Sequence, residues 1–101
     1  MDNKLSVVAR TYDFVLWLLP HIAKFSREHR FTLGDHLERE ALDLLMVLVE
    51  AGYTRDKRDL LRCANLCIER MRFLVRLCKD LRLLNLRQYE FAAGALDSIG
   101  Q

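Results

Sequence analysis

The chain has 101 residues, which is enough for one domain, and we assign residues 1–101 to it. Apolar residues make up 51% of the chain, so a core can form, and the formal net charge is only +2. Its apolar runs are far shorter than the roughly 20 residues that span a bilayer, and no small-residue cleavage site follows the first run. We therefore expect neither a membrane span nor a signal peptide, and a cytoplasmic location.

Apolar periodicity and helix-capping residues predict two helices in the first half of the chain. The first covers about residues 5–28, and Pro20 within it is expected to bend it. The second begins near Thr32, a suitable N-cap residue, and ends before Gly52. The predicted core-facing stripe of the first helix consists of Leu5, Val8, Tyr12, Val15, Leu19 and Ile22.

Two further helices are predicted over residues 56–83 and 86–99. No segment alternates polar and apolar residues for long enough to predict a strand. Short connections between long amphipathic helices favour antiparallel neighbours, so we predict an all-α, up-down four-helix bundle. The inward-facing residues of the fourth helix are predicted to be Tyr89, Ala92, Ala93 and Leu96.

The third helix has two apolar stripes on opposite sides. One faces the bundle and is formed by Leu60, Ala64, Cys67, Met71, Leu74, Val75, Cys78 and Leu81. One bundle cannot cover both sides, and exposed apolar rows usually mark an interface, so we predict a homo-oligomer. The alternative is a central helix that its own partners wrap on both sides. The predicted oligomer interface comprises Leu66, Phe73, Leu77 and Leu84.

A basic stripe lies between the two apolar ones. Residues 55–87 contain ten Lys or Arg and four Asp or Glu, a net of +6 that the whole-chain charge conceals. A basic ridge on one helix is typical of polyanion binding, and it is also compatible with a surface that is merely solvated. The candidate nucleic-acid-binding residues are Arg58, Arg62, Arg72, Arg76, Lys79 and Arg82, and Asn65 and Glu69 lie among them.

Motifs for catalysis or metal binding are missing from the sequence. Cys63, Cys67 and Cys78 lie on one helix without the further ligands of a zinc site, so we expect reduced, buried thiols. No phosphate-binding glycine loop and no nucleophile motif occurs. We expect no catalytic residue, no metal and no cofactor.

One pair of residues leaves an enzymatic alternative. Arg30 and His36 are separated by five residues, a spacing that resembles the Arg-x(4–6)-His motif of HEPN ribonucleases. Phe31 stands where a polar residue usually follows that arginine, and two residues at a loose spacing are a weak signal. We therefore do not assign nuclease activity.

Two stretches carry a resemblance to a known family: RFTLGDHLEREALDLLMVLVEAGY and ANLCIERMRFLVRLCKDLRLLNLRQYEFAAGALDSIG. They resemble the accessory variability determinant proteins of diversity-generating retroelements. These belong to a wider family of bacterial four-helix bundles that includes proteins encoded in ribosomal-RNA intervening sequences. The similarity extends from about Tyr12 to Gly100.

This resemblance implies a ring-like homopentamer of bundles. It also implies a non-catalytic protein that binds the element's reverse transcriptase and its template RNA or cDNA in support of mutagenic copying. The basic residues of the third helix would then contact nucleic acid or polymerase. A net charge of only +2 is low for such a role. An intervening-sequence-type interaction bundle without a nucleic-acid role is the alternative.

Overall fold

The chain forms four helices in a computed structural model, which describes residues 3–101 and the side chains from residue 6 onward. No strand occurs within residues 3–101, and no helix there is long and apolar enough to cross a membrane. The predicted all-α class is confirmed. The helices are α1 (Asn3–Ala23), α2 (Arg27–His29, the π-helical turn Arg30–Gly34, and Asp35–Gly52), α3 (Arg58–Asp80) and α4 (Leu86–Ile99).

The arrangement of the helices follows from short connections. Each helix packs against the next one along the chain, and α1 also packs against α4. The three connections, residues 24–26, 53–57 and 81–85, are short enough that neighbouring helices run antiparallel. The result is the predicted up-down bundle, with dimensions of 42 × 23 × 19 Å.

The core-facing stripe of α1 matches the prediction at Val15 and Ile22 but not at Tyr12, whose neighbour Thr11 is buried instead. Thr11 is fully buried, whereas 56% of Tyr12 is exposed. The Thr11 hydroxyl donates to the Val7 carbonyl oxygen at 2.7 Å, so its burial leaves no unpaired polar group. The side chain of Leu5 lies outside the described residues.

The boundary between α1 and α2 differs from the prediction. α1 ends at Ala23, soon after Pro20, rather than at residue 28. α2 begins before Thr32, which lies exposed in the π-helical turn and does not cap a helix. Gly34 ends this turn, and a Cβ atom there would lie 3.1 Å from Ile22 Cγ2. A glycine at this position therefore lets α1 and α2 approach closely.

The end of α3 explains why one predicted interface residue was wrong. The helix ends at Asp80, and Arg82 adopts a left-handed conformation with φ 65°. This conformation turns the chain, so Leu84 does not continue the outer stripe of the helix. Leu84 is instead 2% exposed and belongs to the core.

The bounds of α4 are confirmed at residues 86–99, and reciprocal side-chain hydrogen bonds fix its start. The Gln88 amide donates to Asn85 Oδ1 at 2.8 Å, and the Asn85 amide donates to Gln88 Oε1 at 2.9 Å. This capping box satisfies two amides that would otherwise lack partners. Ala92 and Leu96 are buried as predicted, and Tyr89 and Ala93 are half-buried.

The three cysteines are free thiols in different environments. Cys67 and Cys78 are buried as predicted, but Cys63 is exposed, because it lies beside the core-facing stripe of α3. Burial raises the pKa of Cys78 to about 12. It also raises the pKa of Cys67, and the Glu40 carboxylate raises it further.

Candidate nucleic-acid interface

The six predicted basic residues do not form one continuous patch. Arg58 stands at the first position of α3 and Arg76 is near its last turn, roughly 27 Å away along the helix axis. Arg82 lies beyond the helix, in the turn toward α4. The structure therefore divides the predicted surface into a part at the start of α3 and a part at its end.

The two arginines at the start of α3 are paired with nearby acids. Arg58 Nε and Nη2 donate to the Asp56 carboxylate at 3.1 and 3.0 Å. Hydrogen bonding to Asp56 raises the pKa of Arg58, and the same bonds lower the pKa of Asp56. Arg62 lies 3.7 Å from Asp59 in a looser, exposed pair. Water competes with both pairs, because all four side chains are largely exposed.

Arg72 connects α3 to α4. Its Nη1 donates to Asp97 Oδ1 on α4, and its Nε lies 3.2 Å from Glu69 Oε2 on its own helix. The hydrogen bond to Asp97 is the main cause that raises the pKa of Arg72. With two carboxylates on one guanidinium, Arg72 is already neutralised by the protein itself.

The remaining basic residues lie toward the end of α3. Lys79 Nζ lies 4.8 Å from the centre of the Tyr89 ring on α4 and 3.7 Å from Asp80. Arg76 is exposed, and so is Arg82. Within the part of the chain that the structure describes, neither of these two arginines forms an ion pair. Of the six predicted residues, these two are therefore the ones that an external anion can reach without displacing an internal partner.

A cavity of about 360 Å³ lies between α3 and α4 and brings two of the predicted residues together. Arg72 and Arg76 line it from α3, and Tyr89 and Asp97 line it from α4. Tyr89 and Asp97 were missed as site residues, because their proximity depends on how the two helices pack. One signal was available: residues 88–101 contain two acids and no Lys or Arg, beside a basic helix.

Three of the four residues of the predicted oligomer interface lie on the surface. Leu66, Phe73 and Leu77 are exposed, Phe73 by 68%, and Leu84 is the exception described above. Met46 on α2 is also exposed and lines a shallow cavity together with Leu66. The apolar surface thus extends from α3 onto α2. We call Met46, Leu66, Phe73 and Leu77 the α2/α3 apolar face.

A polar cluster adjoins the α2/α3 apolar face. The side chain of Glu40 is only 13% exposed. Its Oε2 lies 3.6 Å from His36 Nε2, and its Oε1 lies 3.8 Å from Arg70 Nη1. Both distances exceed those of hydrogen bonds, so this charge group is incompletely paired within one copy of the chain.

The two residues with ribonuclease-like spacing have separate partners. The Arg30 guanidinium lies 5.4 Å from the centre of the Phe31 ring, and His36 lies beside Glu40. Among the described residues, no group of three or more His, Cys, Asp or Glu is placed to hold a metal ion.

Comparison with known proteins adds one match. The family model described as bAvd-like matches residues 5–101 of the chain. No curated protein and no solved structure matches it.

Proposed function

The chain belongs to the bAvd-like family, and from this membership we propose that it is a non-catalytic accessory protein of a diversity-generating retroelement. In this role it binds the element's reverse transcriptase and its template RNA or cDNA in the cytoplasm and supports mutagenic copying. The observation that carries the proposal is the family match, which covers nearly the whole chain.

The charge distribution supports the end of α3 as the binding surface. Arg76 and Arg82 are exposed, and Lys79 lies between them in sequence. Phosphate contacts release counterions from the nucleic acid, so a few accessible cations contribute most when several copies of the surface act together. Arg58, Arg62, Arg72 and Lys79 contribute less than Arg76 and Arg82, because each is close to an acid of the same chain.

Self-association through the α2/α3 apolar face is part of the proposal. Exposed leucine and phenylalanine side chains in a row are typical of a protein interface. Glu40 and Arg70, incompletely paired in one copy, can complete their hydrogen bonds against polar groups of a second copy. A homopentamer is the assembly that the family resemblance implies, and it would repeat the basic surface around a ring.

Charge reversal at the end of α3 tests the binding role. The double variant Arg76→Glu/Lys79→Glu should lose capture of the reverse transcriptase and of template RNA in pull-downs, while its oligomer mass is retained. The matched control is Lys24→Glu/Arg39→Glu, which changes the net charge equally at exposed positions outside α3. If both variants bind as well as the unmodified protein, the binding surface is wrongly assigned.

A second candidate function is an interaction bundle without a nucleic-acid role. It is favoured by the ion pairs, since four of the six predicted cations lie within 4 Å of an acid. The two functions differ in their response to salt. Nucleic-acid binding through phosphate contacts predicts that the logarithm of the affinity falls linearly with the logarithm of salt concentration. Nucleic-acid binding that does not depend on salt, or no nucleic-acid binding at all, would support the second candidate.

A further inference from the structure

Apolar and aromatic side chains form part of the wall of the cavity between α3 and α4, unlike the rest of the basic surface. Val75 and Ala93 give it an apolar lining, and Phe73 and Tyr89 add two aromatic rings. Ala93 is the residue whose small side chain leaves the space open on the α4 side. Its volume of about 360 Å³ is at the lower end of the range for small-molecule sites.

Charged groups border the same cavity, and the Glu69 carboxylate lines it beside Arg72. Arg76 lines it and, among residues 3–101, has no ion-pair partner of its own. The Arg72–Asp97 pair lies at its edge and offers hydrogen-bond donors and acceptors close together. Lys79 lies over the Tyr89 ring and adds positive charge nearby. An apolar, aromatic recess with a free guanidinium at its rim matches a ligand that has a flat ring and a phosphate.

We infer that this cavity is a subsite for one unpaired nucleotide. The base lies against Tyr89, and the phosphate binds Arg76. Single-stranded nucleic acids are typically bound in this way, through aromatic side chains that stack on bases and cations that contact the backbone. The inference deepens the proposed function and rests on it for the source of the nucleotide, which is template RNA or cDNA.

The cavity geometry favours an unpaired base over a duplex. An unpaired base is free to enter a recess between two helices, whereas a paired base is held in its stack and remains out of reach. The Arg72–Asp97 pair joins α3 to α4 at the edge of the recess. A base amino group can donate to Asp97, and a base carbonyl oxygen can accept from Arg72.

Nuclear magnetic resonance titrations of the whole protein test the subsite. The probes are adenosine and uridine 5′-monophosphate, with inorganic phosphate as the comparison. Nucleotides should shift the ring signals of Tyr89 and the side-chain Nε–Hε signal of Arg76, whereas phosphate should shift only the Arg76 signal. Shifts at Arg76 without any at Tyr89 would overturn the inference, because they indicate phosphate contact without an inserted base.

Three substitutions sharpen the test, and two of them add the same side chain at adjacent positions. Ala93→Met fills the recess and should weaken nucleotide binding at least tenfold. Gly94→Met adds the same side chain at the next position, where an added Cβ has no atom within 4 Å, and should change binding less than twofold. Arg76→Gln, at an exposed position that leaves folding intact, should weaken binding about fivefold. Equal losses in the two Met variants would refute the recess as the site.

The same variants separate this inference from the proposed function. If the unmodified protein binds template RNA and Ala93→Met binds it equally well, the subsite is wrong and the accessory role stands. If nucleotides enter the cavity but template RNA does not bind, the subsite stands and the proposed function is wrong.

Discussion

The backbone amide of Leu83 donates a hydrogen bond of 2.8 Å to the carbonyl oxygen of Cys78, and Arg82 lies between them with φ 65°. The Arg82 amide donates to the Lys79 carbonyl oxygen at 2.9 Å. Together these bonds form the Schellman end of a helix, in which the left-handed position usually holds glycine. An arginine there carries a conformational cost of roughly 1–2 kcal/mol.

Replacing that arginine by glycine should stabilise the protein. We expect Arg82→Gly to raise the free energy of unfolding by about 0.5–1 kcal/mol, since relief of the left-handed strain exceeds the added entropy of the unfolded chain. Urea unfolding measures the change. Arg82→Ala removes the same charge but keeps a Cβ, so it should give no gain. If both variants raise the free energy of unfolding equally, the gain comes from removing the charge, and the explanation by left-handed strain is wrong.

Leu84, which follows this turn, should behave as a core residue. Leu84→Ala is expected to lower the free energy of unfolding by about 2–4 kcal/mol, because it leaves a cavity in a packed interior. Leu86→Ala, two residues later at a position that is 61% exposed, should change it by less than about 0.5 kcal/mol. Thermal or urea unfolding distinguishes them. Similar losses for the two variants would place Leu84 outside the core.

Local sequence patterns predicted most of the fold but not its irregular points. The repeat of Ala64, Cys67, Met71, Val75 and Cys78 gave the buried face of α3, because regular helices obey a fixed period. Leu84 was misplaced because arginine is an unusual residue for a left-handed turn and gave no stop signal. The start of α2 was misplaced because a π-helical turn departs from that period.

The candidate site was predictable only along α3 itself. Arg76 was identified from its place on a basic stripe, and its side chain is exposed in the structure. The neutralisation of Arg72 by Asp97 was not predicted, because the two residues are 25 positions apart. Their contact depends on the packing of α3 against α4.

The α2/α3 apolar face should control the oligomeric state. Phe73→Asp introduces a charge into this face without disturbing the core, because the side chain is exposed in the single chain. We expect the particle to dissociate to a smaller mass in light scattering while the helical circular dichroism is unchanged. Tyr53→Asp changes an exposed aromatic residue in the connection between α2 and α3 and should leave the mass unaltered. A Phe73→Asp protein of unchanged mass would remove this face from the interface.

The Arg72–Asp97 pair should couple α3 to α4 weakly and in a salt-dependent way. A double-mutant cycle with Arg72→Ala and Asp97→Ala is expected to give a coupling energy of about 0.5–1 kcal/mol at low salt, because both side chains are partly exposed. The coupling should decrease in 1 M salt, where screening is strong. The Arg58–Asp56 pair provides the comparison, since it joins no two helices. A coupling energy near zero at low salt would show that the Arg72–Asp97 pair does not link α3 to α4.

The cysteines should differ in reactivity. At pH 8, Cys63 is exposed and should react with iodoacetamide in the native protein, as mass spectrometry would record. Cys78 should react only after unfolding, because it is buried and its pKa of about 12 keeps it protonated. Modification of Cys78 at the rate of Cys63 in the native protein would contradict its placement in the core.

The raised pKa of Cys78 makes the stability of the folded protein depend on pH. The thiol of Cys78 ionises near its ordinary value of 9.0 in the unfolded chain but only near 12 in the folded one. The folded state therefore retains a proton that the unfolded state loses, and the free energy of unfolding should fall as the pH rises through this window. Cys78→Ala should lack this component, so the difference between the two proteins isolates it.

The π-helical turn in α2 has a consequence for how the chain length can vary. Such a turn holds one residue more than the α-helical turn that it replaces. Deletion of one residue within Arg30–Gly34, such as the exposed Thr32, can restore a regular helix while Asp35–Gly52 keeps its register against α3. Homologues that are one residue shorter in this segment are therefore compatible with the same bundle. When such a homologue is aligned with this chain, the one-residue gap is expected within Arg30–Gly34 rather than in a connecting loop.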